Sequence, residues 1–131
     1  RVCPTGATYK DELGRVEIDY DKCIGCRMCM AACPYNARSF NWDEPVHVPD
    51  FAYGDANVEG RVRGVAEKCT LCKERTDQGE EPRCVQCCPM DARIFGDLDD
   101  PDSEVSKVIR APGGRVLLEE QGTRPQVYYF E

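Results

Sequence analysis

Apolar and polar positions alternate along this chain in short bursts, each cut off by glycine, proline or cysteine, so the pattern predicts many small elements. Ala7 to Lys10 and Arg15 to Asp19 read as short strands joined by Asp11-Glu12-Leu13-Gly14, a hairpin signal. Arg27 to Ala32 contains good helix formers without Gly or Pro and predicts a short helix, which Pro34 forbids from continuing. Ser39 to Trp42 then reads as a strand. Asp43 to Gly64 holds Pro45, Pro49, Gly54, Gly60 and Gly64 without a sustained period, and residues 43–66 are read as an inserted loop, either a linker or a docking loop. A second short helix is expected near Arg83 to Cys87, a strand at Arg93 to Phe95, and a helix from Ser103 to Arg110. After a turn at Pro112-Gly113-Gly114 the apolar end Val127-Tyr128-Tyr129-Phe130 is expected to pack back on the core or on a partner. The expected organisation is a core over 1–96 and an extension over 97–131.

Composition narrows what this pattern can be. The chain has 131 residues, of which 41% are hydrophobic, enough for one modest core that cross-links or metal centres would supplement. Ten cysteines make their chemistry the first question. A net charge of -7 leaves no concentrated Lys/Arg surface for phosphates, which argues against nucleic acid as a partner. The longest apolar runs, such as Val116 to Leu118, fall far short of the roughly 20 residues of a membrane helix, so no direct span is expected. The sequence opens on Arg1 with neither a starting Met nor a signal peptide, and is read as the C-terminal piece of a longer chain.

Three segments align as a weak repeat, C-P-x-x-A: Cys3 to Ala7, Cys33 to Ala37 and Cys88 to Ala92. The second follows Cys23, Cys26 and Cys29 in the run C-x2-C-x2-C-x3-C-P, the spacing associated with bacterial-type [4Fe-4S] ferredoxins. Two-residue gaps let a tight loop wrap three thiolates round one cubane, and Gly25 suits such a loop through its conformational freedom. The fourth cysteine of such a run ligates the other cluster in two-cluster ferredoxins. By that rule Cys3 completes the cluster begun by Cys23, Cys26 and Cys29, and Cys33 serves a different one. A second set, Cys69, Cys72, Cys84 and Cys88, has the spacing C-x2-C-x11-C-x3-C-P. Cys69, Cys72 and Cys84 would share a cluster and Cys88 would serve another, both needing cysteines from before Arg1. One cluster would then be fully ligated within this chain. Cys87 also makes a C-x2-C with Cys84, but Pro89 and Ala92 align Cys88 with the other copies, so Cys87 is expected to be a buried, quiet thiol.

Rival readings explain less. Five disulfides do not call for this spacing, and close cysteines in one loop are poorly placed to bridge each other. A zinc-stabilised interaction module built on Cys23/Cys26 and Cys69/Cys72 leaves Cys3, Cys29, Cys33, Cys84 and Cys88 unused. No Ser/His/Asp set, catalytic carboxylate pair or phosphate-binding Gly loop is found, so no catalytic residues are assigned. His47 is expected to be solvated, and Phe40, Trp42 and Phe95 to pack in the core. Met28 and Met30 are expected to shield the cubane, and Lys68, Lys73 and Arg75 either to favour its reduced state or simply to face solvent.

With both cysteine sets in hand, the chain resembles the iron–sulfur electron-transfer subunits of dimethyl sulfoxide reductase-family oxidoreductases, of the polysulfide, tetrathionate and nitrite reductase type. The residues that carry this are Cys3 to Ala7, Cys23 to Arg38, Lys68 to Cys72, Pro82-Arg83-Cys84, Cys88 to Asp97, Asp100-Pro101, Ser103 to Ser106 and Arg124 to Tyr129. The resemblance implies an α+β fold of ferredoxin-like [4Fe-4S] repeats, with short helices and small antiparallel hairpins. It implies an electron-transfer subunit, not itself an enzyme, that relays single electrons between a membrane quinone-reactive subunit and a molybdopterin catalytic subunit. The expected location is at the membrane through those partners, on the periplasmic side. The sequence departs from the family by lacking its first cysteine motif and all but the last Cys of its second.

Overall fold

The computed structural model describes residues 2–46, 50–51, 54–56, 58 and 60–130, which leaves His47 outside the described residues. The chain gathers into two compact units, Arg1–Gln78 and Gly79–Glu131.

In the first unit, β1 (Thr8–Lys10) and β2 (Val16–Ile18) pair antiparallel with Thr8 opposite Ile18 and Lys10 opposite Val16, as the hairpin signal predicts. The turn forms because Asp11 organises it: its Oδ1 accepts from the amides of Leu13 at 3.0 Å and Arg15 at 2.9 Å. Arg15, 6% exposed, then ties the hairpin to the end of a later helix. Its guanidinium donates to Asp11 at 2.7 Å, to the Thr76 hydroxyl at 2.6 Å and to Asp77 at 2.6 Å. Helix α1 (Met28–Ala32) starts from Arg27 in the left-handed conformation and stops at Cys33, ahead of Pro34.

The strand expected over Ser39 to Trp42 shortens to β3 (Ser39–Phe40), because it has only two ladder partners, in β4 (Ala66–Glu67). Bonds from Asn41 to Val65 at 3.0 Å and from Gly64 to Asn41 at 2.7 Å extend the pairing. The segment read as an inserted loop therefore ends inside the core: Val65 and Ala66 are buried, with Ala7. Helix α2 (Lys73–Thr76) follows, starting from a left-handed Cys72.

In the second unit, α3 (Arg83–Gln86) and α4 (Glu104–Ile109) lie where helices are expected. Ser103 caps α4, its Oγ accepting the Ser106 amide at 3.2 Å while donating to the carbonyls of Asp97 and Asp100. No strand forms at residues 93–95, because no described segment pairs with them. A 3-10 turn spans Glu119–Gln121. The apolar end folds back on its own unit: Arg115 and Tyr129 exchange backbone bonds at 2.9 and 2.8 Å, and the Phe130 ring lies so close to Gly114 that a Cβ there would meet it at 2.7 Å.

Among the described residues the buried apolar set is small, and many large apolar side chains, from Ile24 and Met28 to Met90, remain exposed. No helix among the described residues is long and apolar enough to cross a membrane.

Candidate functional site

The three C-P-x-x-A segments fold alike. In each, the amide three residues after the cysteine bonds its carbonyl: Gly6 to Cys3 at 3.4 Å, Asn36 to Cys33 at 3.4 Å and Asp91 to Cys88 at 3.3 Å. Each of those three residues is left-handed, with φ of 70°, 51° and 48°. Gly, Asn and Asp are the residue types that tolerate this region best, which is why the repeat varies only among them here.

The turn bends the chain back over its own sulfur. The Ala92 amide donates to Cys88 Sγ at 3.3 Å. Bonds from the Met90 and Ala92 amides, with the nearby charge of Arg93, lower the Cys88 thiol pKa. At Cys3 the Thr5 hydroxyl lies 3.5 Å from Sγ. That bond, then the amides of Thr8, Thr5 and Ala7, outweigh burial and bring the thiol down to about 6. A thiol so placed is poised as thiolate, the form that binds metal.

Cys3, Cys23, Cys26 and Cys29 line one concavity, together with Thr5, Thr8, Ile24, Arg27 and Arg38. Gly25, between the second and third cysteines, makes the loop possible: its φ is 67°, and a Cβ would lie 2.3 Å from the Gly64 carbonyl oxygen. Leu71, at the corresponding place between Cys69 and Cys72, is also left-handed, with φ of 54°. Arg27 stacks on the Trp42 ring at 4.6 Å and on Phe40 at 5.4 Å. Trp42 is 60% exposed, so it sits over this arginine and not in the core as expected. Met28 is likewise exposed.

Cys33 does not line that concavity; it closes α1, on a segment leaving the loop. Cys69 and Cys72 belong to the first unit, where the Leu71 amide donates to Cys69 Sγ at 3.4 Å. Cys84, Cys87 and Cys88 belong to the second. Cys87 is exposed, contrary to the expectation of a buried thiol, because the four-residue α3 that it ends buries none of its residues. Lys68 is half-buried, which lowers its pKa, and its ammonium bonds the Cys69 carbonyl. Lys73 pairs with Asp77 at 2.6 Å.

Four thiolates round a single zinc would stand about 3.8 Å apart. Among the described residues no three His, Cys, Asp or Glu side chains converge closely enough to hold one ion. Sequence reasoning missed Thr5, Thr8 and Arg38; of these only Thr5 carried a signal, as a hydroxyl two residues from a cysteine of the repeat.

Comparison with known proteins finds iron–sulfur domains in this chain. Residues 16–39 match a 4Fe-4S binding domain and residues 55–98 a 4Fe-4S dicluster domain. A Halobacterium salinarum protein assigned as a dimethyl sulfoxide reductase iron-sulfur subunit is 60% identical over 130 residues, covering 99% of this chain and 49% of its own length. The iron-sulfur cluster-binding subunit of menaquinone reductase from Nitratidesulfovibrio vulgaris is 40% identical over 149 residues, covering 98% and 58%. The arsenate respiratory reductase iron-sulfur subunit of a Shewanella strain is 38% identical over 159 residues, covering 99% and 68%. The chain thus spans about half the length of the first of these relatives and about two thirds of the last.

Proposed function

The chain belongs to the iron–sulfur subunits of dimethyl sulfoxide reductase-type oxidoreductase complexes, and from that premise we propose that it is an electron-transfer subunit with no catalytic site of its own. The observation that carries this is the single concavity lined by Cys3, Cys23, Cys26 and Cys29. These four would hold one [4Fe-4S] cluster, which supplies reversible one-electron storage. Cys33, Cys69, Cys72, Cys84 and Cys88 would serve further clusters together with cysteines outside this sequence.

The chain's own residues do the rest. Amides and the Thr5 hydroxyl stabilise thiolate, the left-handed turns aim those donors at sulfur, and Arg27 and Arg38 add positive charge beside the site. Residues 1–96 form the ferredoxin-like α+β core in this reading, and 97–131 a C-terminal extension. The partners are a molybdopterin catalytic subunit and a quinone-reactive membrane subunit, which hold the complex at the membrane on its periplasmic side.

Anaerobic purification of the full chain tests this. The expected product is brown, carries iron and acid-labile sulfide in equal amounts, and loses visible absorbance on reduction. A colourless protein binding only zinc would overturn it.

A further inference from the structure

The three C-P-x-x-A turns supply Cys3 and Cys88 with the same kind of backbone donors, yet one turn adds something more. At the second position after the cysteine stand Thr5, Tyr35 and Met90. Met90 has no hydroxyl, and the Tyr35 hydroxyl stands at the far end of a ring. Thr5 alone of the three is a short hydroxyl, 3.5 Å from its own cysteine's sulfur, and it lines the same concavity as Cys3, Cys23, Cys26 and Cys29. Either atom of that pair could donate while Cys3 is a thiol. A metal-ligating cysteine has lost its proton, so the hydroxyl must then be the donor. Thr5 is β-branched, which restricts χ1 and keeps Oγ1 near this position.

We propose that the Thr5 hydroxyl is a positioning residue for charge, raising the reduction potential of the cluster that Cys3 completes. The inference rests on the reading of Cys3 as a ligand. A reduced cluster carries one more negative charge, and a hydrogen bond to a ligand sulfur stabilises that state more than the oxidised one. Backbone amides act on the sulfurs of both Cys3 and Cys88. Thr5 acts on one, so it separates that cluster's potential from those served by Cys33 and Cys88.

The test is a potentiometric titration of the anaerobically reconstituted full chain, followed by electron paramagnetic resonance of the reduced cluster, for wild type, Thr5→Val, Thr5→Ser and Cys3→Ala. The expected result is a lower midpoint for Thr5→Val, with Thr5→Ser returning toward wild type. Thr5 is exposed, so the isosteric Val is tolerated, and Thr5→Ala repeats the measurement without a branched side chain. An unchanged midpoint in both, with the cluster lost in Cys3→Ala, overturns the role of Thr5 and leaves the ligand in place. A cluster retained in Cys3→Ala with unchanged spectra overturns the ligand and this inference with it. Loss of the cluster from both Thr5→Val and Thr5→Ala would also overturn it, by making Thr5 an assembly residue.

Discussion

Cys3 and Cys29 line one concavity although the whole β1–β2 hairpin and the Cys23–Cys26 loop lie between them in sequence. A ligand shell closed by a thiolate from the preceding repeat joins two local structures that a contiguous run would leave independent. Its loss should therefore be felt by a cluster, not only by one strand.

Cys3→Ser is expected to lower bound iron and acid-labile sulfide together by one cluster's worth. Cys87→Ser should change neither, since the C-P-x-x-A repeat aligns Cys88, and not Cys87, with Cys3 and Cys33. Equal loss in both variants would contradict the assignment of Cys88 over Cys87.

Gly25→Ala is expected to destabilise the chain through two separate causes. The left-handed backbone costs a non-glycine residue about 1–2 kcal/mol, and the new Cβ would press on the Gly64 carbonyl at 2.3 Å. A fall in Tm of at least about 4 °C should follow in thermal unfolding. Because Gly64 bonds Asn41 at the end of the β3–β4 ladder, any relief by backbone movement loosens that ladder too.

The elements legible in the sequence are those fixed by local chemistry. The hairpin follows from Asp11 and Gly14, α1 from the segment before Pro34, and α4 from the Ser103 cap. The strand Ala66–Glu67 was hidden because two residues have no period; only its pairing with Ser39–Phe40 defines it. Residues 93–95 carry strand-like residues but meet no partner among the described residues. The cysteine spacing made the site legible, since ligand geometry is written in short intervals. Arg38 was not legible, because it reaches the concavity through folding, held by a 3.1 Å bond to Thr8.

Acid should loosen the junction between hairpin and α2. Burial raises the Asp11 pKa, but bonds from Arg15 outweigh it, and Asp77 is held low by Lys73 and then Arg15. Groups with depressed folded-state pKa values stabilise the fold above their unfolded value, about pH 4, and lose that contribution as pH falls through the folded value. Wild type should therefore lose stability to urea below about pH 4 more steeply than Arg15→Met, which should already be weaker at neutral pH. Parallel acid profiles would remove Arg15 as the cause.

Glu17 should act in the opposite direction. It is 6% exposed, its Oε1 has no hydrogen-bond partner among the described residues, and it faces a cavity shared with Lys68, Lys73, Glu74 and Asp77. Burial raises its pKa, with Lys68 and Arg15 offsetting part of the rise and Asp11 adding to it. The folded state then holds a proton that the unfolded state has already released, so stability falls as pH climbs from the ordinary glutamate value through the raised one. Glu17→Gln removes this titration. Denaturation at a pH above that window should find the variant gaining on wild type, relative to the difference between them at a pH below it. If Lys68 held Glu17 charged throughout that window, the two profiles would instead run parallel across it, and the buried carboxylate would have to be counted as satisfied.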